Sequence, residues 1–129
     1  MRFLLDTHAF LWWDAEAERL PDTLLETLQD PAHELVLSVV SVWEMQIKTG
    51  LGKLEVRTSL STLVSEQREK NSLVVLPVSL QHVLVLSELA HHHKDPFDRL
   101  LIAQAKAEAL TLVSKDEVFS RYDVPLRWD

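Results

Sequence analysis

Cysteine is absent from the 129 residues. Disulfides and thiolate metal sites are therefore excluded, and any bound cation must rest on carboxylates, imidazoles or water. Glycine occurs only at Gly50 and Gly52, which makes that stretch the most permissive backbone in the chain. No apolar run approaches the roughly 18 residues a membrane span needs. The opening Met1-Arg2-Phe3-Leu4-Leu5-Asp6 has one basic residue and meets an acid at once, unlike a secretory signal, so the expected location is cytoplasmic. An excess of basic charge is also missing, the formal net charge being −7. Phosphate binders usually leave a basic footprint. Either nucleic acid is not the ligand, or bound cations turn an acidic pocket into a phosphate site.

What is present reads as globular: 47% of residues are apolar and 26% charged, and the length suits one domain over 1–129 with one core. Short apolar runs at Phe3–Leu5, Glu34–Val40, Leu73–Leu76 and Thr111–Val113 predict strands. Helices are predicted at His8–Trp13, Pro21–Leu28, Ser41–Thr49, Ser59–Asn71, Ser79–His93 and Pro96–Leu110, with a helical turn over Asp116–Arg121 and a tail near Val124. Strand-like runs alternating with helices indicate βαβ units, and continuous rather than alternating apolar runs indicate parallel strands buried on both faces. The expected fold is α/β, a three-layer α/β/α sandwich with a central parallel sheet of four to five strands. In such sheets ligands bind at the carboxyl edge of the strands.

Four acids fall at that edge or early in the helices after it: Asp6, Glu44, Asp98 and Asp116. Each has a structural explanation. Asp6 can cap the next helix. Glu44 lies three residues after Ser41, as in a capping box, and four before Lys48. Asp95-Pro96 reads as a cap and first helical position, which puts Asp98 in a first turn. Ser114 and Glu117 form another box around Asp116. Together the four point to one place, and clustered carboxylates are costly unless a cation compensates them. Hard cations such as Mg²⁺ or Mn²⁺ suit oxygen ligands and phosphate chemistry.

These residues carry a family resemblance. Leu4-Leu5-Asp6-Thr7-His8, Ser38-Val39-Val40-Ser41-Val42-Trp43-Glu44, Asp95-Pro96-Phe97-Asp98-Arg99-Leu100-Leu101-Ile102-Ala103-Gln104-Ala105 and Leu112-Val113-Ser114-Lys115-Asp116 resemble, in order, the motifs of PIN domains, the third closely resembling the VapC-type toxins. The resemblance implies a Mg²⁺- or Mn²⁺-dependent ribonuclease, the toxin of a toxin–antitoxin pair, that hydrolyses RNA phosphodiesters with metal-activated water. Carried over by position, Asp6, Glu44, Asp98 and Asp116 become the catalytic, metal-binding acids. Thr7 and Ser114 become the hydroxyls that orient them, with Asp95 a supporting helix cap. The implied partners are RNA, a cognate antitoxin and a second copy in a homodimer, with operator DNA reached only through the antitoxin and no membrane.

Other features are open to two readings. Arg99 can hold a substrate phosphate or pair with Asp95. His91-His92-His93-Lys94 reads as a solvated helix end. Trp12 or Trp13 is expected at a dimer or antitoxin surface, and Trp43 in the core. Lys48, Lys53 and Arg57 bracket the glycine loop and can guide RNA. A receiver domain would need paired acids after the first strand and an acid after a middle one, but Asp6 stands alone and Leu76-Pro77-Val78 offers none. A haloacid-type phosphatase needs D-x-D, where this chain has Asp6-Thr7-His8. The alternative left standing is a non-catalytic interaction module on a PIN-like fold, which need not bind a divalent cation.

Overall fold

A computed structural model describes all residues, 1–129. Five parallel strands, β1 (Arg2–Leu5), β2 (Glu34–Ser38), β3 (Val74–Leu76), β4 (Thr111–Val113) and β5 (Leu126–Arg127), form one sheet in the order β3-β2-β1-β4-β5. The helices are α1 (Thr7–Ala15), α2 (Asp22–Gln29), α3 (Val39–Gly50), α4 (Leu60–Asn71), α5 (Leu80–Val85) and α6 (Pro96–Glu108), and no helix is long and apolar enough to cross a membrane.

The side-chain alternation of the central strands builds the three layers. Phe3, Leu5, Leu35 and Leu37 pack with Phe10, Leu24, Leu28 and Leu63 from α1, α2 and α4. Leu4, Val36 and Leu112 pack on the opposite face with Leu101, Ile102 and Ala105 of α6. Because both faces are covered, Phe3, Leu4 and Leu5 are all fully buried. The chain first adds strands on one side of β1 and then, with β4, on the other. The order therefore reverses between β1 and β4, and the crevice beyond their carboxyl ends is where such a sheet leaves room for a ligand.

Several boundaries depart from expectation. The second strand stops at Ser38, not Val40, because the Ser38 hydroxyl accepts from the Val40 amide and opens α3 two residues early. The expected Ser41–Glu44 capping box does not form; Ser41 lies inside α3 with its hydroxyl buried and unpaired. The expected helix over Ser79–His93 is six residues of α5 followed by a 3₁₀ turn at Leu86–Glu88. Of its leucines and valines, Leu80, Val83 and Leu84 are exposed and Leu89 is buried. The histidine tract is thus an irregular connection rather than a helix end. The tail near Val124 runs into β5. With so little glycine, left-handed helix ends fall to Ser72 and Ala109, with φ of 53° and 54°.

Candidate active site

Asp6 leaves the end of β1 as the N-cap of α1, its Oδ1 accepting from the Ala9 amide at 2.8 Å. Its neighbour Thr7 donates from Oγ1 to Glu44 Oε1 at 2.6 Å, and Lys48 Nζ donates to Glu44 Oε2 at 2.7 Å. Both oxygens of the buried Glu44 are thereby held, one by the expected i,i+4 lysine and one from another helix. Asp95 caps α6, one oxygen accepting from the Phe97 and Asp98 amides at 2.9 and 3.1 Å. Asp98 is the acid of the first turn. After β4, Ser114 Oγ accepts from the Asp116 amide, and Asp116 in turn caps the short 3₁₀ helix Glu117–Arg121, accepting from Val118. The expected Ser114–Glu117 box is therefore replaced by Asp116 as the cap.

The structure brings these acids together. Asp6, Glu44, Asp95, Asp98, Asp116 and Glu117 line one pocket of about 690 Å³ at the carboxyl edge, with Lys48 and Lys115 as its only lysines. Six carboxylates against two ammoniums give this pocket a formal charge of −4, over half of the chain's formal −7. The electrostatic consequence shows at Asp98, whose carboxyl is pushed up to about 7, first by burial and then by the neighbouring charges of Asp95, Glu44, Asp6 and Asp116. Asp6 is also held above the ordinary carboxylate range by burial, although the Ser114 hydroxyl and the Ala9 amide favour its charged form. Ser114 and Thr7 thus each meet one of the acids. No three His, Asp or Glu side chains converge tightly enough to enclose an ion by themselves.

A larger groove, about 890 Å³, lies between α3 and α4 against Val75. Its lining is mostly apolar, with only Arg68 and Glu69 charged, so it offers no converging groups for chemistry. Trp43 stands at this groove, 58% exposed and edge-on to Phe97 at 5.2 Å, and is not the core residue expected. Trp12 and Trp13 are half-buried instead, Trp12 against Trp128 and Trp13 against Phe10.

Two basic residues are spoken for. Arg99 donates to the Ala90 carbonyl at 2.8 Å and to the Tyr122 hydroxyl at 3.1 Å, neither lining the pocket nor pairing with Asp95. Arg57 forks onto Asp14 at 2.9 Å and reaches Glu66 at 2.7 Å, pins its loop to α1 and α4, and is no free RNA guide. Sequence reasoning missed Lys115 as a cation of the pocket, and it missed His93, whose Nε2 lies 3.5 Å from Asp98 Oδ2. Lys115 lies within the last motif and was findable; His93 was not, because what places it is Tyr122, 29 residues away.

Comparison with known proteins agrees with this fold. No curated protein matches the sequence. Among solved structures, the chain is similar to VapBC2 from Rickettsia felis bound to a DNA fragment from its promoter (21% identity, all of both chains covered, TM-score 0.74). It is also similar to DNA-bound VapBC from Salmonella typhimurium (18%, 100% of this chain and 99% of that one, 0.69) and to VapBC-1 from nontypeable Haemophilus influenzae (18%, 98% and 97%, 0.69). The PIN domain model matches residues 3–125. The chain belongs to the PIN-domain family.

Proposed function

We propose that this PIN domain, taken as one unit over 1–129, is a divalent-cation-dependent endoribonuclease acting as the toxin of a toxin–antitoxin pair. The observation that carries the reading is the acidic pocket itself: Asp6, Glu44, Asp98 and Asp116 arrive from four separate segments to share one opening. Such crowding is unfavourable in isolation, as the raised Asp98 carboxyl records, and a cation reverses the sign of every one of those interactions. The donor set is all oxygen, which suits Mg²⁺ or Mn²⁺. Mg²⁺ commonly takes only one or two protein carboxylates and keeps several waters, so the absence of a tight three-residue cage agrees with its habits. When bound, the cation would neutralise charge at a phosphate and activate water.

The chain's own residues supply the rest. Asp6, Glu44, Asp98 and Asp116 would surround the cation, one or two of them ligating it directly and the others through its waters. Thr7 fixes the Glu44 carboxylate and Ser114 that of Asp6, so neither must be reoriented for the reaction. Lys48 and Lys115 put positive charge at a pocket otherwise closed to phosphates. The antitoxin reading rests on the likeness to VapBC complexes; operator DNA would be bound through that antitoxin. The exposed apolar side chains of α5, Leu80, Val83 and Leu84, support a homodimer, and the expected location is the cytoplasm.

The test is cleavage of a mixed RNA pool in Mg²⁺, Mn²⁺ or EDTA by wild type, Asp6→Asn and Asp98→Asn. We expect cutting that EDTA abolishes and that each variant lowers by at least about 100-fold, as losing several kcal/mol of transition-state stabilisation would require. A folded, antitoxin-free wild type that cuts nothing under any cation would favour the interaction module instead.

A further inference from the structure

The connection between α5 and α6 contains a run of polar contacts that the reaction as proposed leaves unused. Arg99 Nη1 donates to the Tyr122 hydroxyl at 3.1 Å. That hydroxyl lies 2.7 Å from His93 Nδ1. On the far side of the ring, His93 Nε2 is buried and has no hydrogen-bond partner, and the carboxylate within reach is Asp98 Oδ2 at 3.5 Å. The ring is clamped edge-on by Tyr122 and Phe119, with centroids 5.4 and 6.5 Å away.

A guanidinium only donates, which fixes the direction of the Arg99 contact. Tyr122 oxygen therefore accepts from Arg99, which is itself anchored on the Ala90 carbonyl, and its own proton is left free to be donated to His93 Nδ1. A neutral imidazole that accepts at Nδ1 carries its hydrogen on Nε2. That hydrogen is the otherwise unsatisfied buried donor, and buried donors are nearly always partnered. Asp98 is the acceptor available to it.

We infer that His93 is a positioning residue for Asp98, its ring locked by Arg99 and Tyr122 in the tautomer that presents Nε2–H to the Asp98 carboxylate. Asp98 is the acid with the fewest other constraints. Glu44 is held by Thr7 and Lys48, and Asp6 by Ala9, while no hydrogen bond to the Asp98 side chain comes from any other residue. Without His93 the carboxylate on the first turn of α6 can turn among its rotamers. With it, one oxygen is tethered and the group is presented to the pocket in one orientation. The role deepens the cation-site reading above and rests on it.

Calorimetric titration of Mn²⁺ into the full chain tests it, using wild type, His93→Ala, His93→Gln and Tyr122→Phe, with melting curves to verify folding. Loss of an outer-sphere partner of this kind weakens metal binding by about 10- to 100-fold, and that is expected for His93→Ala. Glutamine can present an N–H from a similar reach, so His93→Gln should recover most of the affinity, which a merely space-filling role would not predict. In the metal-free protein, ¹⁵N NMR of labelled histidine should show His93 as a single Nε2–H tautomer, and as a mixture in Tyr122→Phe. A wild type that binds Mn²⁺ alongside a His93→Ala that binds within twofold of it overturns this inference alone, as does an Nδ1–H tautomer. A wild type that binds no Mn²⁺ removes the cation-site reading and this inference with it.

Discussion

Replacing Asp98 by asparagine should make the metal-free protein more stable. The carboxyl moves from 3.8 to about 7 on folding, and each unit corresponds to about 1.4 kcal/mol, which sets a ceiling of about 4 kcal/mol on the cost of ionising it in place. The side chain keeps 23% of its surface exposed at the mouth of an open pocket, so solvent screening cuts that to about 1–2 kcal/mol. Between pH 3.8 and about 7 the unfolded chain has released this proton and the folded one retains it, so folding stability falls as pH rises through that window and levels off above it. The Asp98→Asn side chain does not ionise and carries no such cost. In EDTA at pH 8 the variant should melt about 4–7 °C above wild type, taking about 2 cal/mol/K of unfolding entropy per residue. The gap should shrink to about half or less at pH 5. Saturating Mg²⁺ should reverse the order, since a ligand at 100 times its Kd adds about 2.7 kcal/mol to the protein that binds it. A variant melting at or below wild type at pH 8 in EDTA would refute the reasoning, because the acids would then not be crowded at a cost to the fold.

Three further outcomes follow from the same structure. Protons compete with the cation at Asp98, so apparent Mg²⁺ affinity should drop as pH falls below about 7, approaching tenfold per unit; affinity flat from pH 5.5 to 7.5 by calorimetry would contradict this. Lys115 is exposed at the pocket, its Nζ 5.9 Å from the Trp12 ring centroid; Lys115→Ala should raise KM for RNA several-fold and lower the salt dependence of binding by about one ion, without weakening Mg²⁺ binding. Ala109 closes α6 in the left-handed conformation at φ 54°, which costs a non-glycine residue about 1–2 kcal/mol. Ala109→Gly should therefore raise the melting temperature by about 4 °C, and a fall on thermal denaturation would count against it.

What was legible in the sequence, and what was not, divides along the range of the forces involved. Phe3–Leu5 and Leu35–Leu37 read as strands because burial on both faces leaves no polar position to interrupt them, and Asp95-Pro96 read as a helix start because the cap and the proline act on adjacent backbone. The four acids could be assigned to one edge because parallel strands put every following helix there. The α3 start was misplaced at Ser41 because both Ser38 and Ser41 have the chemistry of a cap, and the β-branched Val39 and Val40 between them favour strand; tertiary burial of Val40 decides for helix. Trp43 was misplaced because a tryptophan on an apolar stretch of helix is ordinarily buried, and only the path of α4 leaves this one at an open groove.

The segment after α5 shows why the remaining errors were unavoidable. Periodicity extended the helix to His93, yet Val83 and Leu84 face outward, and the chain turns away so that Leu89 can reach the core. That turn is what frees Ala90's carbonyl for Arg99 and brings His93 between Phe119 and Tyr122. Three histidines in a row carry no directional information by themselves, and His91 and His92 remain exposed as a solvated tract would be. His93 differs only because a tyrosine from beyond β4 fixes its ring. A local pattern cannot contain that, since the partner's position depends on how β4 and the chain after it settle against α6. The part of the site that local chemistry encodes is the set of charges; the part that sets their orientation comes from contacts made only once the sheet is closed.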